Sequence, residues 1–344
     1  MQPSVLIFST YQSGLLMSAR SFSAVISSTL AAGLVTTVAG LYATGVNAAT
    51  PSTLSLDYAY YAPTSLVIRE QKLLEKALPK TEIKWVFSQG SNRSLEYLNS
   101  GSTDFASTAG LAAVLSRANG SPLKTIYIQG QPEWTALVVG KDSPIKSLKD
   151  LKGKKIAATK GTDPYLFTLQ ALNTVGLGKN DVQLVHLQHP DGKTALERGQ
   201  VDAWAGLDPL MASAQLQSGA RQLYRNVNFN SYSVLSVKED FANQNPDTIK
   251  LVISAYEQAR KWARANPEKL AELLARESKL PIDVARLQLK RTNFDQNIPS
   301  SKHALALKKA APILLEEQLV RKDTNVIQVV DALLDPQYAK AVVK

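Results

Sequence analysis

Short apolar runs alternate with helical spacing from the start of the polar part of the chain, and this alternation constrains the fold more than any other feature. Thr53–Tyr58, Ile83–Phe87, Thr103–Ser107 and Leu123–Gln129 read as strands. Between them, Pro63–Leu78, Asn92–Asn99 and a stretch ending near Asn119-Gly120 carry helical periodicity. A β-α-β order of this kind predicts a largely parallel sheet covered by helices on both faces. The chain has 344 residues, which is length for two such domains.

An internal echo supports two halves. Leu98-Asn99-Ser100-Gly101-Ser102-Thr103-Asp104 and Leu196-Glu197-Arg198-Gly199-Gln200-Val201-Asp202 share the pattern L-x-x-G-x-x-D. In each, a helix ends, glycine supplies a left-handed cap, and aspartate opens a strand. The apolar segments Thr135–Gly140 and Ser231–Val237 read as crossovers between the halves. Lobe 1 is then residues 50–139 plus 230–344, and lobe 2 is 140–229. The tail is helical: Asn245-Pro246 and Asn266-Pro267 place a capping residue before a proline in the first turn. Ile249, Val252, Ile253 and Tyr256 share one face, as do Leu270, Leu273 and Leu274.

Residues 1–48 carry Arg20 as their one charge, then a run of apolar and small residues, then Val46-x-Ala48. These are the three parts of a secretory signal, with cleavage expected after Ala48. The chain has no cysteine, which excludes disulfides, thiol catalysis and cysteine-held zinc. It also excludes the lipid anchor that an exported protein attaches through cysteine, so the expected location is a Gram-negative periplasm. The net charge of +10 favours anionic ligands; export argues against nucleic acid.

Enzymatic motifs fail one by one. Gly192-Lys193-Thr194 lacks the glycine that a phosphate-binding loop needs five positions earlier, where Leu187 stands. No G-x-S-x-G elbow exists. His186 and His189, read as lying on a strand, would point to opposite faces, so no metal site is expected. What remains is four polar loops, each at a strand end and a helix start: Tyr58–Ser65, Ser107–Gly110, Thr159–Tyr165 and Trp204–Pro209. Strand carboxyl ends are where parallel α/β sheets bind ligands. Helix starts offer free N–H groups and partial positive charge, which suits an anion with acceptor oxygens.

Several segments carry a family resemblance. They are Ser88-Gln89-Gly90-Ser91-Asn92, Gly101–Thr108, Lys141-Asp142-Ser143-Pro144-Ile145, Asp150–Lys155, Lys160-Gly161-Thr162, and Gly199–Trp204 with Asp208-Pro209. Over residues 53–340 the chain resembles the aliphatic-sulfonate branch of the sulfonate, nitrate and taurine substrate-binding proteins of ABC transporters. The resemblance implies an α/β, two-lobed periplasmic-binding-protein type II fold, each lobe a mostly parallel sheet flanked by helices. It further implies a monomer without cofactor or catalysis that hands a small organic anion to an inner-membrane permease. Taurine, nitrate and a thiamine-precursor pyrimidine stay open as cargo; a cofactor-precursor synthase on the same fold is the rival class, opposed by the signal and by the lack of a Cys or His constellation.

Departures from the family pattern fall in the loops: Ala59-Tyr60-Tyr61-Ala62 replaces a Gln-Lys-Gly-Ser-like segment, Ala109-Gly110 replaces Gly-Asp, and Leu207 precedes Asp208-Pro209. The expected ligand contacts are Tyr60, Tyr61, Thr64, Ser107, Thr108, Ala109, Glu133, Trp134, Gly161, Thr162, Asp163, His189, Trp204 and Asp208. The anionic head is expected on N–H groups near Thr108, Ala109, Thr162 and Asp163, with Tyr60, Tyr61, Trp134 and Trp204 walling the organic part. Trp85 is read as core. Asp163 and Asp208, each before a proline, fit helix caps, whereas Glu133 is free to meet an ammonium or hydroxyl of the ligand.

Overall fold

The computed structural model describes residues 50–343. The expected signal segment, residues 1–48, lies outside the described residues. Eleven strands among the described residues form two sheets. The first contains β1 (Thr53–Tyr58), β2 (Glu82–Phe87), β3 (Phe105–Ala109), β4 (Leu123–Pro132), β10 (Ser233–Lys238) and β11 (Thr292–Asn293), in the order β11-β4-β10-β3-β1-β2. The second contains β5 (Leu137–Val139), β6 (Lys155–Ala157), β7 (Gln183–Val185), β8 (Ala203–Ala205) and β9 (Arg221–Tyr224), in the order β7-β6-β8-β5-β9.

The two segments read as crossovers have equivalent fates. β5 pairs antiparallel with both β8 and β9, and β10 pairs antiparallel with both β3 and β4. Each sheet is therefore mixed: parallel strands with one reversed strand threaded between them, and β11 as a short reversed edge in the first. A chain that leaves one sheet and enters the other must arrive running backwards, which reverses these two strands. The fold is α/β with mixed sheets flanked by helices.

The L-x-x-G-x-x-D echo has a physical basis in the structure. Gly101 and Gly199 adopt φ of 77° and 66°, the left-handed region that favours glycine. Asp104 Oδ2 then accepts the N–H of Ser55 at 2.7 Å, while the Asp104 N–H donates to the Ser55 carbonyl. Asp202 repeats both bonds with Lys155, its Oδ2 accepting at 2.8 Å. In both sheets the aspartate clips the incoming strand to the start of its parallel neighbour.

Two expectations about the first sheet change. The single helix over Pro63–Leu78 is two, Pro63–Glu70 and Leu73–Ala77, separated by Lys72 at φ 50°. Leu66, Val67 and Ile68 are buried before the break, and Leu74 and Leu78 after it. Trp85 is only partly buried, because β2 is an edge strand; its indole N–H donates to Glu75 Oε1 at 3.3 Å. The tail follows the pattern. The Pro246–Ala265 helix buries Ile249, Val252, Ile253 and Tyr256 against the first sheet, and Leu270, Leu273 and Leu274 join the same core. No helix among the described residues is long and apolar enough to cross a membrane.

Candidate functional site

Three helix starts from the two halves converge at the carboxyl ends of the strands. The Ser91–Ser100 helix follows β2, the Asp163–Asn173 helix follows β6, and the His189–Glu197 helix follows β7. Their approach is close. A Cβ placed on Gly90 would lie 2.8 Å from His189 Nε2 and 3.1 Å from Asn92 Oδ1, and one on Gly161 would lie 3.6 Å from Asn92 Cβ. Gly161, at φ 79°, supplies a turn that a side chain would strain.

On the first-sheet side the loops hang on Asp57, near the end of β1. Its fully buried carboxylate accepts hydrogen bonds from the Ser88 and Ser94 hydroxyls at 2.7 and 2.6 Å and from the Ser107 N–H at 2.7 Å. Burial raises its pKa to about 6 against the pull of these donors. The Tyr61 hydroxyl donates to the Ser107 carbonyl at 2.9 Å and sits 3.2 Å from Ser88 Oγ; its ring meets Trp134 edge-on, centroids 5.8 Å apart.

On the second-sheet side the organising residue is His189, wholly buried. Thr159 Oγ1 lies 2.7 Å from the Leu187 carbonyl and 3.1 Å from His189 Nδ1. A carbonyl can only accept, so the Thr159 proton goes there and Thr159 accepts from Nδ1–H. His189 Nε2 therefore carries a lone pair. Burial lowers the imidazole pKa to about 3, so the ring is neutral. Nε2, Asn92 Oδ1 and Gln188 Oε1 are buried and have no hydrogen-bond partner within the described protein. All three are acceptors, on residues at the starts of the Ser91–Ser100 and His189–Glu197 helices.

Many of the residues expected to touch a ligand have protein partners in this structure. Thr64 donates to Gln129 Oε1 at 2.9 Å. The Ala109 N–H donates to Ser91 Oγ at 2.9 Å, and the next two N–H groups donate to the Tyr232 carbonyl and Ser231 Oγ, so this helix start is committed to protein partners. Ser107 Oγ is buried and has no hydrogen-bond partner in the described protein. Thr108, on the opposite strand face, is buried and its hydroxyl has no partner. Tyr60 stacks on Phe87 at 4.7 Å beside the edge strand. Trp204 is core of the second half, with Val138, Ala157, Leu196 and Met211; Gly192 is small because this indole packs on it, 2.7 Å from an added Cβ.

The acids also have partners. Thr162, not Asp163, is the N-cap, and its hydroxyl donates to the Thr159 carbonyl at 2.6 Å. Asp163 accepts from the Trp134 indole N–H at 3.0 Å and from the Ser231 N–H and hydroxyl at 2.8 and 2.7 Å, joining both crossovers to the second half. Asp208 stands one residue before the N-cap Pro209; its carboxylate accepts the Ala212 N–H of the first turn at 2.9 Å and pairs with Arg291 at 3.1 Å. Glu133 is not free: Arg225 binds it through two nitrogens, at 3.0 and 2.5 Å. His186 and His189 lie beyond β7, with His189 the first residue of its helix. Sequence reading missed Asp57, Thr159, Asn92 and Arg225 as participants. A lone aspartate within the apolar strand Thr53–Tyr58 was the available signal for the first.

Among the described residues no cluster of His, Asp and Glu is placed to hold a metal ion. Helix starts from two sheets meet here, with neutral polar groups between them. That is the arrangement of a periplasmic-binding-protein fold. Residues 81–270 match the family described as NMT1/THI5 like, and the chain belongs to that family. The periplasmic aliphatic sulphonate binding protein SsuA from Escherichia coli is 30% identical with a TM-score of 0.70, covering 81% of this chain and 97% of that one. The alkanesulfonate-binding protein SsuA from Xanthomonas axonopodis pv. citri, bound to MOPS, is 25% identical with a TM-score of 0.77, covering 83% and 100%. An Escherichia coli (strain K12) protein, provisionally named for binding aliphatic sulfonates, is 31% identical over 81% of this chain and 88% of its own length.

Proposed function

We propose that the chain is the periplasmic solute-binding component of an ABC importer, closing on a small organic anion, an aliphatic sulfonate, without catalysis. The observation that carries this reading is the convergence of the helix starts at Ser91, Asp163 and His189 at the carboxyl ends of the strands. Free N–H groups at helix starts suit anion oxygens without a buried countercharge. The relatives named for sulfonate binding give the cargo class. In this reading residues 50–139 plus 230–344 and residues 140–229 are two lobes that open and close about the crossovers. Asn230 ties those crossovers together, accepting the Thr135 N–H at 2.9 Å. The signal at residues 1–48 exports the chain, and a monomer delivers the ligand to its permease.

Calorimetry on the mature chain with ethanesulfonate, taurine, nitrate and sulfate tests this, alongside mass spectrometry of ligand released from gently unfolded protein. Binding of the sulfonates above the inorganic anions is expected. Binding of nitrate or a pyrimidine, with no response to any sulfonate, would overturn the reading.

A further inference from the structure

The aromatic residues expected to wall the organic part of the ligand pack on other side chains of the protein, and an open volume lies elsewhere. A cavity of about 590 Å³ adjoins the converging helix starts through Asn92 and Gly161. Its apolar lining comes from three directions: Leu95 and Leu115 from the first-sheet half, Tyr165 from the second, and Leu319 from the tail. Its exposed rim carries Glu96 and Lys160.

Leu319 is held in place by a strap that spans the two halves. The Ile313–Glu316 helix and the residues after it bury Leu314 and Val320 in the core shared with Leu172 and Val182. Asn173 Nδ2 donates to Glu316 Oε2 at 2.9 Å, and Lys179 pairs with Glu317 at 3.8 Å. Asn119 Nδ2, from the first-sheet half, donates to the Leu319 carbonyl at 3.3 Å, so the strap that brings Leu319 to the cavity is anchored to both halves.

We propose that this cavity receives the hydrocarbon part of the bound anion, so that Leu95, Leu115, Tyr165 and Leu319 select organic anions with an extended apolar tail. The inference rests on the anion-binding reading above. The head is satisfied at the helix starts by N–H groups that any small anion could use; selection among anions then falls to what leaves the head. Beyond Asn92 and Gly161 the cavity lining includes leucines and the tyrosine ring, so in this proposal each methylene placed there leaves water.

Calorimetry with methane-, propane- and hexanesulfonate on the mature chain tests the proposal. Affinity is expected to rise by about threefold to fourfold per added methylene. Leu319→Asp is expected to lower the hexanesulfonate to methanesulfonate affinity ratio at least tenfold, by the cost of placing a charge on the tail; Leu115→Asn is the second variant should the first fail to fold. Methanesulfonate binding with a flat length series in the parent overturns the tail site alone. Failure of every sulfonate to bind overturns the anion reading, and this inference with it.

Discussion

In the half built on the first sheet, the strand-end loops are tied to a carboxylate; in the half built on the second, to an imidazole. Asp57 meets three donors, all of them from the protein. His189 meets one partner through Nδ1 and keeps Nε2 unpartnered beside Gly90. Both groups are fully buried, yet burial moves their pKa values in opposite directions, Asp57 up to about 6 and His189 down to about 3. The difference separates framework from site. A buried acid is tolerable where donors saturate it, whereas a neutral ring can stand inside an anion clamp without adding negative charge to it.

The largest expected effect tests the framework side. Asp57→Leu leaves two hydroxyls and the Ser107 N–H without their acceptor, and should cost about 3 kcal/mol or more, read by urea unfolding. A loss below about 1 kcal/mol would mean that the loops are held by other contacts.

Next is the contact between the halves. Gly90→Ala puts a methyl 2.8 Å from His189 Nε2, against a ring that Thr159 holds. Overpacking there should weaken ligand binding about tenfold while the separate halves stay folded. Unchanged affinity by calorimetry would show that the helix starts do not close this tightly on ligand.

The opposite pKa shifts give opposite pH signs. Asp57 binds its proton more tightly folded than unfolded, so its contribution to stability falls as pH rises from about 3.8 to about 6. His189 binds its proton less tightly folded, so its contribution falls as pH drops from about 6.5 toward about 3. Urea titrations at pH 4, 5 and 6 should therefore show the slopes of Asp57→Asn and His189→Gln departing from the parent in opposite senses, by about 1.4 kcal/mol per pH unit at most. Departures of the same sign would break the comparison.

The smallest effect concerns Glu133. Arg225 is half exposed, and such pairs contribute about 0–1 kcal/mol. Glu133→Gln should change stability by about 0.5 kcal/mol or less and leave any preference between taurine and ethanesulfonate as it was. A lost preference would return Glu133 to the ligand.

What was legible in the sequence was local. The strand and helix alternation, the two glycine turns with their aspartates, and the helical stripes of the tail depend on backbone conformation and on which face is apolar, and both are written in short segments. The family, and with it the fold class, followed from motifs in order. Side-chain roles were not local. Asp163 looks like a cap beside Pro164, but its acceptors are filled by Ser231, 68 positions away. Glu133 looks unpaired until Arg225 arrives from 92 positions along the chain. Trp204 sits next to a strand-end loop, yet the small Gly192 draws its indole into the core. The sequence by itself determined the elements and their order, because hydrophobic period and turn geometry act over a few residues. Only the tertiary structure decided which polar groups were already partnered, because a hydrogen bond or ion pair depends on the distance between side chains that folding, not sequence spacing, brings together.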